Sequence, residues 1–222
     1  ISNENLQHVG GLARDIVKEG GSDIQRHCDQ FVADQGRLLE GRTLVTPAGR
    51  LPCSKIIHTV GPKWDFTADT LRIDGTETRQ ERVLKQAIKN SLMEAASLKS
   101  IAIPAVSSGV FGVPRDLCAK VILDAVVEFC RENPSCHLSE IHLVNKDTPT
   151  VTAFLDEMRK RFSKENNFTS REASGPPIHT LQVRDISQRP RGAPNSFATQ
   201  EGIQITVNSG DLAKQRVRRF IC

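Results

Sequence analysis

Hydrophobic and polar residues follow two different periods along the first 165 residues. Apolar residues recur at helical spacing in five stretches, whereas three shorter stretches are almost continuously apolar. The pattern predicts helices at 12–19, 22–35, 77–98, 114–132 and 148–162, and strands at 55–60, 100–106 and 140–144. Strands separated by helices of about 12 residues or more predict an α/β fold with a mostly parallel sheet and helices on both faces.

The pattern changes after residue 165. Residues 166–201 are rich in Pro, Gly and Ser and have little apolar periodicity, which predicts a linker. The stretch GIQITV at 202–207 then alternates apolar and polar residues like a strand, and the turn-forming residues 208–211 follow it. We therefore expect one domain over 1–165, a linker over 166–201 and a further strand within 202–222.

Composition is that of a globular protein. The chain has 222 residues, of which 38% are hydrophobic and 25% charged. No apolar stretch approaches about 18 residues and the opening residues lack a secretory signal, so neither a membrane span nor secretion is expected. The six cysteines are irregularly spaced, which predicts reduced thiols in an intracellular protein, nuclear or cytoplasmic, rather than disulfides. The local cluster of Cys130, Cys136 and His137 lacks a second ligand pair, and no metal is expected.

The positive charge is confined to the end of the chain. Residues 1–170 carry 22 basic and 22 acidic side chains, whereas 171–222 carry 8 basic and 4 acidic ones, which accounts for the net charge of +4. A duplex-binding protein concentrates positive charge on its folded domain. Neither duplex nucleic acid nor a membrane is therefore an expected partner.

The segment SSGVFG at 107–112 follows the most apolar predicted strand and precedes a helix. Glycines let backbone N–H groups approach a ligand, serines add hydroxyl donors, and a following helix presents its positive end. These features suit a phosphate or pyrophosphate cradle. An ordinary tight strand–helix turn explains the same residues.

A second polar segment opens the chain. Asn3 and Asn5 lead to Gly10 and Gly11, directly before the first predicted helix. This order again supplies backbone donors beside a helix N-terminus, and an Asn carboxamide suits a pair of sugar hydroxyls. Alternatively, Asn3 and Asn5 satisfy only the backbone of a local turn.

Three motifs in order give the chain a recognisable likeness. NENLQHVGGLA at 3–13, IIHTVGPKW at 56–64 and IAIPAVSSGVFGVP at 101–114 closely resemble the macrodomain family, in particular the tandem macrodomains of macro-containing poly(ADP-ribose) polymerases. The resemblance covers nearly all of 1–162. It implies a three-layer αβα fold with a mixed, mostly parallel sheet, and binding of ADP-ribose, free or on mono- or poly-ADP-ribosylated proteins. It implies no cofactor.

The resemblance also assigns roles to residues. Asn3 would contact the distal ribose, one loop would follow that ribose and the diphosphate, and a second loop would wrap the diphosphate with its aromatic residue over the distal ribose. The end of the last strand would lie near the adenosine. The residues matched to these three segments are Val9, Gly10, Gly11, Leu12 and Ala13; Ser107, Ser108, Gly109, Val110 and Phe111; and Val144 and Asn145.

The chain departs from the family pattern at both ends. The family's first two strands and its adenine-binding Asp are missing ahead of residue 1, while ITVNSGDL at 205–212 resembles that same opening. We expect a fragment of a tandem array, in which 202–222 begins a second, incomplete macrodomain and 1–165 alone is unstable. A further hypothesis is that 202–212 docks back as a permuted first strand, which would bring Asp211 near the adenine site.

Three functions remain open from the sequence. A reader of ADP-ribosylated proteins is favoured, because Ala13 stands where one hydrolytic branch of the family carries an Asp and cannot act as an acid or base. A mono-ADP-ribosyl hydrolase acting on modified Asp or Glu side chains is the alternative, with Asn3 as its catalytic residue. A second hydrolytic branch of the family has Ala at the position matched by Ala13, but it carries a glycine where this chain has Val9. An inactive fragment of a protein ADP-ribosyltransferase is the third possibility.

Overall fold

The computed structural model describes residues 3–66, 72–73, 77–165, 195–212 and 219–221. The described helices are α1 (Gly11–Gly20), α2 (Ser22–Gln35), α3 (Arg79–Ala95), α4 (Arg115–Glu132) and α5 (Thr148–Glu165). The described strands are β1 (Thr43–Pro47), β2 (Lys55–Thr59), β3 (Arg72–Ile73), β4 (Glu77–Thr78), β5 (Ser100–Ile103), β6 (Glu140–Asn145), β7 (Asn195–Ala198), β8 (Gln204–Ser209) and β9 (Arg219–Ile221). No helix in these described ranges has the length and apolar character needed to span a membrane.

One mixed sheet organises the fold. Its strand order is β1-β2-β9-β5-β6-β8-β7, and β3 and β4 form a separate two-stranded sheet. The outer pairs β1–β2 and β7–β8 are antiparallel, whereas the four inner pairs are parallel. The predicted mixed, mostly parallel sheet is thereby confirmed.

Successive residues of the central strands face opposite layers of helices. In β5, Ile101 and Ile103 join the core packed on α3, α4 and α5, whereas Ala102 joins the cluster that contains Ala13 and Ile16 of α1. This alternation follows from the two-residue period of a strand. The helices therefore lie on both faces of the sheet, as the three-layer fold requires.

Two adjacent glycines separate the first two helices. Gly21 has a φ of +105° and its N–H donates to the carbonyl of Val17, so it ends α1. Ser22 is the first residue of α2, Gly21 occupies the N-cap position, and no side chain caps this end.

A capping box sets the start of α3. The Thr78 hydroxyl accepts from the Glu81 N–H, and the Glu81 carboxylate accepts from the Thr78 N–H. Because these bonds satisfy the end of the helix, α3 begins at Arg79, two residues later than predicted. Strand β1 was not predicted, since TLVTP at 43–47 is short and ends in proline.

The last described segment belongs to the same sheet. β8 pairs in parallel with β6 over six positions, from Glu140 opposite Gln204 to Asn145 opposite Ser209. β9 lies between β2 and β5. The docking hypothesis for 202–212 requires a strand from that segment in this sheet, and β8 lies there beside β6. β7 falls within the predicted linker, of which 166–194 lie outside the described residues, and the division of the chain into domains stays a prediction.

A half-buried ion pair connects α4 to α5. Asp124 accepts from Lys120 at 2.9 Å and lies 2.8 Å from the Arg161 guanidinium. Burial alone would raise the pKa of Asp124, but Lys120 and Arg161 together hold it below its ordinary value. Since the folded pKa lies below the unfolded one, this pair stabilises the fold above the unfolded pKa and its contribution is lost as pH falls through the folded pKa.

We predict that Asp124→Asn lowers the free energy of unfolding by about 1 kcal/mol at pH 7, because Arg161 loses one of its two charged partners and keeps only Glu157. The difference from the unsubstituted chain should shrink below a pH of about 4, where that chain also loses the charge. Urea denaturation at several pH values measures both quantities. Asp156→Asn, which removes a half-exposed partner of Arg159, serves as control and should leave stability unchanged. A constant difference at every pH would contradict the prediction.

Candidate functional site

A cavity of about 380 Å³ opens at the carboxyl ends of β5, β6 and β8, beside the start of α1. In sheets with parallel strands, ligands bind outside these ends. Its lining consists of Gly10, Gly11, Leu12, Ala13, Asp15, Pro104, Ala105, Ser107, Ser108, Gly109, Val110, Phe111, Val144, Asn145, Lys146, Gly210, Asp211 and Leu212. The volume falls within the usual range for small-molecule sites.

The start of α1 forms one wall. The first backbone amides of an α-helix have no acceptor within the helix. Gly10 occupies the N-cap position of α1, and no side chain accepts from these amides as a cap. Gly11 has a φ of +56°, which L side chains rarely adopt, and a Cβ built on it would meet no atom within 4 Å. This wall therefore presents backbone donors and the positive end of a helix to the cavity.

The turn after β5 forms the facing wall. Pro104 ends the strand, and Ser107 is held at a φ of +66°. Within the turn, the amides of Ser108, Gly112 and Val113 donate to backbone carbonyls. No backbone acceptor among the described residues takes the amides of Gly109, Val110 and Phe111. This turn therefore has three backbone amides that are free to meet a ligand, and no described residue of α4 lines the cavity. The phosphate cradle stays a prediction.

Gly61 supports this turn from below. A Cβ on Gly61 would lie 2.2 Å from the Ser107 hydroxyl oxygen and 2.9 Å from Val106 Cγ1. The Cys118 thiol also donates to the Val106 carbonyl at 3.2 Å. Burial raises the pKa of Cys118, so the thiol keeps the proton that this hydrogen bond needs. The strained conformation of Ser107 is therefore fixed by close packing.

Two buried polar atoms lie at the base of the cavity. Asn145 accepts from the Ala105 N–H at 2.9 Å through its Oδ1, while its Nδ2 has no hydrogen-bond partner among the described residues. The Ser107 hydroxyl is also buried without such a partner. Both atoms belong to residues that line the cavity, and leaving them buried and unpaired costs free energy.

The end of β8 closes the third side. The Gly210 N–H donates to the Asn145 carbonyl at 3.0 Å, and the Asp211 carboxylate lies 3.7 Å from Lys146 Nζ. Leu212 is buried in the cluster that includes Ala13 and Ile16. The cavity is thus assembled from the start of the chain, its middle and the segment after residue 194.

Apolar side chains surround the outer opening. Val110 is 99% exposed, and Phe111 is partly buried beneath Lys63, whose Nζ lies 5.9 Å from the ring centroid. The backbone N–H of Trp64 donates to the Phe111 carbonyl at 2.7 Å. These contacts fix Phe111 at the edge of the cavity.

Most of the site residues predicted from sequence come together. All of them line the cavity except Asn3 and Val9. The Asn3 Oδ1 accepts from the Gln7 N–H at 3.0 Å, as the local-turn alternative requires, and Val9 is 76% exposed. Six lining residues were not predicted for the site: Asp15, Pro104, Ala105, Lys146, Gly210 and Leu212. Asp15 lies four residues after Gly11, so helical spacing could have indicated that it faces the site. The positions of Gly210 and Leu212 could be known only from the order of strands in the sheet.

Buried histidines form a separate network behind the first loop. His8 Nδ1 lies 2.6 Å from the Gln25 amide oxygen and His8 Nε2 lies 3.2 Å from His58 Nδ1. Thr46 and Cys28 approach His58 Nε2 at 2.9 and 3.8 Å. His58 is therefore a core histidine. His142, by contrast, is only partly buried and lies 3.5 Å from Glu140.

One side-chain group in the described chain has the composition of a metal site. Ligand atoms of His8, Cys28 and His58 lie within 4.8 Å of one another. The two nitrogens of His58 face different partners, His8 on one side and Thr46 and Cys28 on the other. The hydrogen bonds of a folded core account for this arrangement without an ion.

Comparison with known proteins agrees with this geometry. Residues 2–122 match the model of the Macro domain family. The chain belongs to the macrodomain family. Over 158 residues it is 40% identical to protein mono-ADP-ribosyltransferase PARP9 of Mus musculus, and over 180 residues it is 39% identical to protein mono-ADP-ribosyltransferase PARP14 of Homo sapiens. These matches cover 69% and 79% of this chain but only 17% and 10% of the relatives.

Solved structures agree on the fold. A variant of the Oceanobacillus iheyensis macrodomain, solved with ADPR, is 25% identical and superposes with a TM-score of 0.64. The match covers 73% of this chain and 83% of that one. The macrodomain fold expected from the sequence is thereby confirmed.

We predict that Gly61→Ala lowers the free energy of unfolding by about 1–3 kcal/mol, because the added methyl group displaces Ser107. Hydrogen exchange of the Val113 amide should accelerate, since this amide bonds to the Ser107 carbonyl. Urea denaturation and exchange mass spectrometry measure the two effects. Gly10→Ala is the control, because Gly10 has an extended φ of −157° and no atom within 4 Å of a new Cβ. Equal stability of the two variants would contradict the prediction.

Proposed function

We propose that this macrodomain binds ADP-ribose, free or attached to proteins, and acts as a reader module of a larger protein related to ADP-ribosyltransferases. One observation carries the proposal: two turns rich in unpaired amides, at 10–13 and 107–111, face each other across one cavity. Opposed amide donors suit the two adjacent anionic groups of a diphosphate.

The charge in the cavity favours amide-based recognition. Lys146 is the one basic side chain among the lining residues, and it is paired with Asp211 at 3.7 Å. Asp15 adds a second carboxylate. The ligand's negative charge must therefore be held mainly by backbone N–H groups and the end of α1. This favours a compact diphosphate over a polyanion, which would need many cationic side chains.

One polar group on the β8 side suits a nucleoside. The Asn145 carbonyl holds this side in place by accepting from the Gly210 N–H at 3.0 Å. Asp211 lies on the β8 side, where a carboxylate can accept from an exocyclic amine. The family resemblance, which assigns adenosine to the end of the last strand, supports the same orientation.

The apolar opening supports binding of an ADP-ribose that is attached to a protein. Val110 and Val9 are exposed on the two turns, and Phe111 lies at the same edge. Exposed apolar side chains beside a binding cavity favour contact with a further molecule. Proteins of the nucleus or cytoplasm are the partners that this proposal implies.

A reader is favoured over a hydrolase by the chemistry of the cavity. Among the described residues, the lining contains no histidine or cysteine, and the Ser108 hydroxyl donates to the Ala105 carbonyl at 2.9 Å rather than to a base. Ala13 supplies no acid or base, and the carboxamide oxygen of Asn3 is engaged by Gln7. No nucleophile–base pair is therefore assembled among the described residues that line the cavity.

We predict that Gly109→Glu weakens ADP-ribose binding about a hundredfold or more while leaving the melting temperature unchanged. A Cβ on Gly109 meets no atom within 4 Å, so the new carboxylate enters the cavity without disturbing the fold and repels the diphosphate. Calorimetric titration of the full chain with ADP-ribose measures the effect. Gly109→Gln, of the same size but uncharged, should cost about tenfold or less. Equal affinities for the two variants would contradict recognition of a diphosphate at this turn.

A second experiment separates the reader from the hydrolase. A protein carrying mono-ADP-ribosylated glutamate is incubated with the chain, and released ADP-ribose is measured. We expect binding without release. Release at enzymatic rates that Asn3→Ala removes would establish the hydrolase instead, whereas absence of both binding and release would reject the proposed function.

A further inference from the structure

The sheet depends on strands that follow a long connection. β7, β8 and β9 come after residues 166–194, yet β9 is the only described strand between β2 and β5. β2 and β5 do not pair with each other. Without residues 195–221, which we call the tail, the described sheet would consist of a β1–β2 pair and a separate β5–β6 pair. The tail is therefore needed to join the two parts.

The tail also contributes to both layers of the core. Ile205, Val207 and Phe197 pack in the cluster formed by α4 and α5, and Leu212 packs in the cluster formed by α1. Each of these side chains is at most 5% exposed. Residues 3–165, which we call the body, thus supply the apolar and hydrogen-bonding partners that this strand segment uses.

The same segment completes the cavity. Gly210, Asp211 and Leu212 come from the tail, and all other lining residues come from the body. The two parts meet at the Gly210–Asn145 hydrogen bond and at the Asp211–Lys146 ion pair. A molecule that fills the cavity therefore contacts body and tail at once.

We propose that the body is an acceptor for a strand segment, that it takes the tail of a second copy of this chain as well as its own, and that a nucleotide-sugar in the cavity strengthens this docking. The backbone pairing with β6 and the buried side chains are the same for either source of the segment. A tail on the same chain has the higher effective concentration, so exchange between copies is best measured after the chain is cut. The coupling to ligand rests on the proposed function, whereas strand acceptance does not.

Coupling follows from shared contacts. A ligand that touches both parts binds the docked state more tightly than the undocked one, so by linkage it must also tighten docking. Exchange of the tail should then be slower with ligand present. The Asp211 carboxylate is the charged side chain through which the tail reaches the cavity, so removing its charge should weaken the coupling.

The test uses the full chain with a specific protease site inserted within 166–194. After cleavage, we expect the tail to co-elute with the body, and a fluorescent peptide of residues 195–222 to replace it over time, as measured by anisotropy. Saturating ADP-ribose should slow this exchange about tenfold. Asp211→Asn should reduce the slowing, whereas Glu201→Gln, a matched change in the β7–β8 turn, should not.

Each outcome bears on one part of the proposal. If the labelled peptide does not enter the cleaved protein, strand acceptance is overturned. This holds whether the original tail stays bound or leaves. If calorimetry shows that the chain binds ADP-ribose but ADP-ribose does not slow the exchange of the tail, the coupling between ligand binding and docking is overturned. If the uncut chain does not bind ADP-ribose, the proposed function fails, while exchange without ligand still tests strand acceptance.

Discussion

The site depends on backbone amides that the fold leaves without acceptors. At the start of α1 these amides are unpaired because a helix cannot satisfy its own first turn. In the turn after β5 they are unpaired because Ser107 adopts a left-handed conformation and the local hydrogen bonds use other amides. Both sets are oriented by rigid neighbours, so little reorganisation is needed when an anion binds.

Rigidity comes from the residues beneath the two turns. Gly61 leaves room for Ser107, and the Cys118 thiol holds the Val106 carbonyl. On the other side, His8 is tied to Gln25 and His58, so the segment that leads to Gly10 is anchored in the core. The network of histidines thus has a structural role next to the site.

The sheet combines strands from distant parts of the chain, and this determines the third wall. β8 lies beside β6, and its last residues lead directly into Gly210 and Asp211 at the cavity. Stability and the binding site therefore share the same segment. A chain organised in this way cannot lose its tail without opening both the core and the cavity.

The sequence alone determined the helices, the central strands and most of the residues that line the cavity. Helical and strand periods identified the five helices and the central strands because each buries one face or both, and ordered motifs identified the macrodomain family. Local hydrogen bonds were harder to predict: the Thr78 capping box moved the start of α3, and Asn3 was assigned to a ligand although its oxygen serves the turn.

Tertiary structure decided which of these segments meet. The position of β9 between β2 and β5, and of Asp211 beside Lys146, depends on pairing across a connection whose sequence carries no periodic signal. Periodicity reports which face of an element is buried, but not which partner covers it. For that reason the sequence could indicate two walls of the cavity and offer the third, through Asp211, only as a docking hypothesis, which needed the assembled sheet to be decided.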